Sequence, residues 1–169
     1  EQTELPMITR RAPPQVPAET STPPYDVLIF LTESLRPDHL PMYGYTKRPT
    51  APAMSRFIQE HADTTIVYER AYSNSAYTVF SLISILTGLS IVRDVEMLSR
   101  VPLPWHYAHA LGVETFFISA QELRWSNVFD FLFVYDPPHT LQSATDAHHP
   151  LVNDLGIDDA FTAADAART

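Results

Sequence analysis

The sequence predicts an α/β domain in which helices flank a largely parallel sheet. Three observations carry that expectation. Val27-Leu28-Ile29-Phe30-Leu31 is an uninterrupted apolar run, too short for a typical helix and rich in strand formers, and it reads as a strand covered on both faces. Thr64 to Tyr68 and Val113 to Ser119 show the same β-branched and aromatic character further along. The stretches between them carry helix start and stop signals, so strands and helices alternate.

Residues 1–24 hold six of the fifteen prolines, with two Pro-Pro pairs and no apolar periodicity. They read as an extended linker, leaving 25–169 as the domain. Pro37, Pro41, Gly44 and Pro49 make 34–49 mostly loop and turn. Thr50 is placed to cap a helix over 51–61, with Pro52 tolerated in its first turn. From Thr78 to Thr87 the chain is almost wholly apolar and Gly88 follows, which predicts a helix buried nearly all round with a glycine C-cap. Its β-branched residues make a strand the competing reading. A short helix is expected from Pro104 to Leu111, stopped by Gly112, and another over Gln121 to Leu132. A polar loop is expected over 136–150 and a terminal helix over 158–167. No internal repeat is present.

Composition narrows the function classes. The formal net charge is -9 and the eleven basic residues are scattered singly or in pairs, which argues against nucleic-acid binding. With no cysteine, disulfides and thiolate metal sites are excluded. No apolar run approaches the ~20 residues of a membrane span, so the chain is expected to be soluble as given. Its first residue is Glu1 rather than Met, and a processed or excised piece is expected.

Two residues stand out chemically. Glu33 follows the first predicted strand, and ligands in open α/β sheets bind outside the carboxyl ends of the strands. A carboxylate there can ligate Zn²⁺, Mn²⁺, Mg²⁺ or Ca²⁺; the alternative, which position alone favours, is a helix-capping or surface glutamate. Thr78 opens the predicted apolar helix, where free N–H groups and the positive dipole end favour an anion. Its hydroxyl can attack a phosphorus or sulfur centre held there, but residues 72–80 offer no Lys, His or carboxylate as base. A cation can supply the activation. The alternative is a capping or packing threonine. His106 and His109 share a predicted helix face, and His148-His149 sit in a loop; without partnering ligands they read as surface histidines. His39, after Asp38, reads as structural, and Trp105 and Trp125 as core.

The segment Asp26 to His39, with Thr32-Glu33-Ser34 and Arg36-Pro37-Asp38, and on through Tyr43-Gly44-Tyr45, resembles the opening of sulfatase-family domains of the alkaline-phosphatase superfamily. Thr50-Ala51-Pro52-Ala53-Met54 is similar to that family's next helix start. Thr78-Val79-Phe80-Ser81, with Ile85-Leu86-Thr87-Gly88 behind it, is similar to its nucleophile signature. The three motifs stand in the family's order and spacing, and the resemblance covers about residues 26–132.

The resemblance implies an alkaline-phosphatase-like fold, truncated after its first half. It also implies one divalent-metal site with Glu33 and Thr78 as ligands, Thr78 as nucleophile, and a phosphate- or sulfate-ester substrate, a lipid headgroup among the candidates. Sulfatases of the family carry Cys or Ser, converted to formylglycine, where this chain has Thr78. An unmodified threonine is closer to phosphoethanolamine transferases, lipoteichoic acid synthases and inner-membrane sulfatase-like proteins. Those relatives imply an extracytoplasmic domain of a membrane-anchored parent. The family's later Asp-His and histidine ligands have no counterpart after Val134, so the site is expected to be incomplete in this chain. A missing half-sheet is expected to leave an exposed edge for self-association or for pairing with the missing half. The alternative is a non-catalytic sulfatase-like binding or regulatory module.

Overall fold

The computed structural model describes residues 10–21, 25–90, 95–144, 151–153, 156–157 and 159–168. His148-His149 and the start of the terminal helix expected from 158 lie outside that set. The chain divides into two units: residues 26–73 form one, and the described residues on either side of that range form the other.

In the larger unit the apolar run after Tyr77 becomes a helix, α2 (Thr78–Thr87). Tyr77 is extended, its carbonyl takes the Ser81 N–H at 3.0 Å, and Gly88 closes the far end at φ 69° with its N–H on the Ser84 carbonyl at 3.0 Å. Left-handed φ is what a glycine C-cap supplies. Val79 and Ile83, four apart, are buried on one face, whereas Ile85 is 53% exposed. The helix is therefore core-facing on one side, not buried all round.

After α3 (Val95–Arg100) comes α4 (Pro104–Ala110), with Pro104 in its first turn and Gly112 at φ 70° just beyond. The third expected strand is present as β1 (Phe116–Ile118), shorter than Val113–Ser119. It pairs in parallel with β2 (Thr140–Gln142), Phe117 opposite Leu141. That second strand falls inside the expected 136–150 loop, and between the two lies α5 (Val128–Phe133). A strand, helix and parallel strand in succession make a small α/β unit, and at this coarse level the expected fold class holds.

The helix expected from Gln121 starts seven residues late. Ser126 and Asn127 adopt left-handed φ of 51° and 59°, a conformation that breaks an α-helix and that asparagine tolerates better than most. Further on, β3 (Leu151–Asn153) and β4 (Gly156–Ile157) form an antiparallel pair, and α6 (Asp159–Ala166) follows.

One apolar cluster holds this unit together. Ile83, Leu98, Leu103, Val128, Phe131 and Leu132 are each at most 2% exposed. Trp105 stacks on Phe133 at 5.4 Å and 17°, and Phe117 meets the same ring edge-on at 4.9 Å. Arg11, inside the proline-rich segment expected to be a linker, is also buried here. Its guanidinium donates to the carbonyls of Leu98, Val101 and Phe131 at 3.1, 2.9 and 2.5 Å and lies over the Phe131 ring.

In the smaller unit, α1 (Pro52–Glu60) matches the expected helix. Thr50 is not its cap: Ala51 takes that position at φ 49°, and the Thr50 hydroxyl instead donates to the His39 carbonyl. The strands expected at Val27–Leu31 and Thr64–Tyr68 are absent among the described residues. Val27, Leu28, Ile29, Phe30 and Leu31 are 57–78% exposed, and Ile66 and Tyr68 are at least 70% exposed. A strand exists only where its N–H and C=O groups meet a neighbouring strand, and this unit contains none among its described residues. Where a half-sheet edge was expected, residues 27–31 are an exposed apolar segment, not a strand edge.

Candidate functional site

Thr78 is the first residue of a ten-residue helix and is half-buried. The residues before it form a tight polar turn: the Tyr77 N–H donates to Ser75 Oγ at 3.0 Å, and Ser81 Oγ donates back to the Ser75 carbonyl at 2.8 Å. Ser75 and Ser81 thereby fix the chain's entry into α2. The first-turn N–H groups of a helix have no intrahelical acceptor and carry the positive end of its dipole. Local chemistry at Thr78 thus combines a hydroxyl with a terminus suited to an anion.

Glu33 belongs to the smaller unit, is exposed, and sits at a bend with Ser34 at φ 56°. It does not stand at the carboxyl end of a strand, because no strand forms ahead of it among the described residues. Thr78 belongs to the other unit, so each candidate ligand is positioned by its own part of the chain. Among the described residues no three His, Cys, Asp or Glu side chains come together in a group able to hold a metal ion.

The Arg-x-Asp element beyond Glu33 is a local ion pair. Arg36 grips Asp38 with two hydrogen bonds, at 3.0 and 2.6 Å, and His39 Nδ1 lies 3.0 Å from the same carboxylate. Hydrogen bonds from Arg36 first, then His39, hold the Asp38 carboxyl down at about 2. The group is fully exposed, so the pair organises the 36–39 turn without adding much stability.

A second cluster has no counterpart among the sequence expectations except for two of its histidines. His106, expected at the surface, is 4% exposed. Its Nδ1 accepts the Leu103 N–H at 3.0 Å, and its Nε2 lies 3.0 and 3.3 Å from the carbonyls of Asp136 and Tyr135. These partners assign the tautomer: Nδ1 accepts, Nε2 carries the proton, and the ring is neutral. Both nitrogens serve the backbone, so His106 and His109 do not act as a pair toward a metal. Burial pushes the His106 imidazole below its usual value, against the opposing pull of the Tyr135 carbonyl.

His109 bridges Asp136, with Nδ1 3.3 Å from Oδ1, to Thr115, with Nε2 2.9 Å from Oγ1. His139 completes the cluster: its Nδ1 accepts the Thr115 N–H at 3.1 Å, its own N–H donates to Thr115 Oγ1 at 3.2 Å, and its ring meets that of His109 edge-on at 4.3 Å. An acid–imidazole–hydroxyl chain of this order can activate an alcohol. Here, however, the hydroxyl is already engaged by His139 and sits at the amino ends of β1 and β2, opposite the edge where α/β sheets bind ligands. It joins the two strands. Sequence reasoning missed Thr115, Asp136 and His139 because the contacts span 24 residues or more from His139 to Thr115 and to His109; the only local signal was the His106/His109 spacing.

No described helix is long and apolar enough to cross a membrane. Comparison with protein-family models, curated proteins and solved structures found no match to this chain.

Proposed function

We propose that the chain is the nucleophile-bearing part of a metal-dependent sulfatase-like hydrolase or transferase of the alkaline-phosphatase superfamily, acting on phosphate or sulfate esters through Thr78. The observation that carries this reading is the position of Thr78 as the first residue of α2, bracketed by Tyr77 and the left-handed Gly88, within the motif Thr78-Val79-Phe80-Ser81…Leu86-Thr87-Gly88.

A bound ester would rest its anionic oxygens against the first-turn N–H groups of α2. Thr78 Oγ1 would form the new bond to phosphorus as the ester P–O bond breaks. The hydroxyl proton leaves to solvent, and the departing alkoxide regains one. A divalent ion, when bound, lowers the pKa of a coordinated hydroxyl and screens the transferred charge. Glu33 and Thr78 offer hard oxygen donors that suit Zn²⁺, Mn²⁺, Mg²⁺ or Ca²⁺. A catalytic zinc needs three protein ligands, and the described residues do not complete such a set. In this reading the exposed apolar run 27–31 is the surface that a second copy or a further part of such a domain would cover, and the parent is extracytoplasmic and membrane-anchored.

The test is covalent trapping. The chain is incubated with Mn²⁺ or Zn²⁺ and an activated aryl phosphate or a phosphoethanolamine ester. Peptide mass spectrometry then looks for a phosphoryl group on Thr78 that is absent in Thr78→Ala and reduced in Glu33→Ala. Labelling that persists in Thr78→Ala overturns the assignment of the nucleophile.

A second reading, a non-catalytic binding or regulatory module of the same fold, is favoured by the absence of a three-ligand group among the described residues. Calorimetry separates the two. Micromolar Mn²⁺ or Zn²⁺ binding abolished by Glu33→Ala supports the enzyme, and no binding even in a longer stretch of the protein supports the module.

A further inference from the structure

Among the described residues of the smaller unit, Leu40 is the one large apolar side chain that is buried. Twelve others between Val27 and Tyr72 are at least 39% exposed, and five of these are consecutive, Val27 to Leu31. A contiguous apolar run left in water marks a contact surface. Its composition names the kind of contact. Val, Ile and Phe favour the pleated strand, and no proline or glycine interrupts the chain from Tyr25 to Arg36. What the run lacks is a neighbour whose N–H and C=O groups complete a ladder.

We propose that this neighbour is the same run of a second copy, the two chains pairing antiparallel through residues 26–32 about a two-fold axis at Ile29. The run is its own complement in that register. Val27 lies opposite Leu31 and Leu28 opposite Phe30, apolar on apolar. The flanking carboxylates meet neutral residues, Asp26 opposite Thr32 and Glu33 opposite Tyr25. A slip of one residue one way sets Asp26 against Glu33. A slip the other way sets Asp26 against Leu31 and draws Pro24, which cannot donate, into the ladder. Parallel pairing in register stacks Asp26 on Asp26 and Glu33 on Glu33, and like charges directly opposite are destabilising. Charge also favours this unit as the place of contact. Residues 26–73 carry six carboxylates and five basic side chains, so only one unit of the chain's net charge of -9 falls there. Two copies meet through this stretch with little mutual repulsion.

Size sets the strength. Five such side chains, 57–78% exposed, present on the order of 400 Å² per copy, about half of the roughly 800 Å² per partner of a standard interface. The pair is therefore a weak, concentration-dependent dimer. Salt screens the negative charge carried outside 26–73, so added salt should raise the dimer fraction. The inference commits to one cover for the run 27–31 and is independent of the chemistry proposed for Thr78. An inert Thr78 leaves the pairing intact, and a monomeric chain leaves the nucleophile untouched.

Sedimentation velocity of the full chain from about 5 to about 500 µM should show monomer giving way to dimer. Ile29 is 73% exposed, so Ile29→Lys leaves the unit's packing alone. It brings two ammonium groups together at the axis and should weaken association about tenfold or more. The chain has no cysteine of its own, so single cysteines read the register. In Ile29→Cys the two Cα atoms stand about 4.5 or 5.5 Å apart, within disulfide reach, and mild oxidation should link the copies. In Val27→Cys the two positions lie roughly 14 Å apart along the strands, and linking should be about tenfold slower or worse. A mixture of Val27→Cys with Leu31→Cys should link as Ile29→Cys does. A wild type that stays monomeric throughout the series overturns the pairing and leaves a further part of such a domain as the cover. So does Ile29→Lys dimerising as the wild type does, or equal linking of Val27→Cys and Ile29→Cys, the mark of a parallel ladder. Growth past the dimer into fibres overturns it as well.

Discussion

Arg11 is anchored by three backbone carbonyls, from α3, the residue just past it and α5, rather than by a carboxylate. Burial lowers its pKa to about 10, so it remains a cation at neutral pH. The cost of desolvating that charge is offset by hydrogen bonds and by the Phe131 ring beneath it. Arg11→Met keeps much of the side-chain packing but orphans three acceptors. A loss of about 1–3 kcal/mol is expected, read from the urea midpoint at unchanged m-value. Nothing in the sequence pointed to this residue: it lies in a proline-rich stretch, and its partners are 87, 90 and 120 positions away. Thr78 was legible for the opposite reason. Its place at a helix start follows from the apolar run behind it and the glycine that ends it, all within eleven residues.

Among the elements, α2 tests the local rules most cleanly. Gly88 adopts φ 69°, and a Cβ built there meets nothing within 4 Å. Gly88→Ala therefore isolates the backbone penalty from any steric clash. A destabilisation of about 1 kcal/mol is expected in urea unfolding, with the fold retained. Helices α1, α2 and α4 were readable because their signals are local: a proline in the first turn of α1 and α4, and a glycine after α2 and α4. The strands were not readable in the same way. Phe116–Ile118 pairs because β2 supplies a partner, whereas Val27–Leu31, with the stronger strand composition, has none in its unit and forms no strand. Propensity proposes a strand, but only a partner completes one. The late start of α5 has a further cause, since the left-handed pair Ser126-Asn127 leaves no trace in hydrophobic periodicity.

At the scale of the molecule, the chain crosses between its two units twice, once after Tyr25 and again before Asn74. The smaller unit is thus an insertion in the larger one, and the short piece bearing Arg11 is joined to the rest of its own unit only through residues 26–73. That covalent path sets the local concentration at which Arg11 finds its carbonyls. A few hydrogen bonds, each contributing about 0.5–1.5 kcal/mol net, fall short of the roughly 4–15 kcal/mol needed to hold a free peptide in place. A single protease nick anywhere in 26–73 should therefore shed the amino-terminal fragment on size exclusion, and the nicked protein should unfold at a urea concentration no higher than that of Arg11→Met. The stretch 26–73, by its covalent continuity alone, would in this way govern whether the aromatic core keeps its cation.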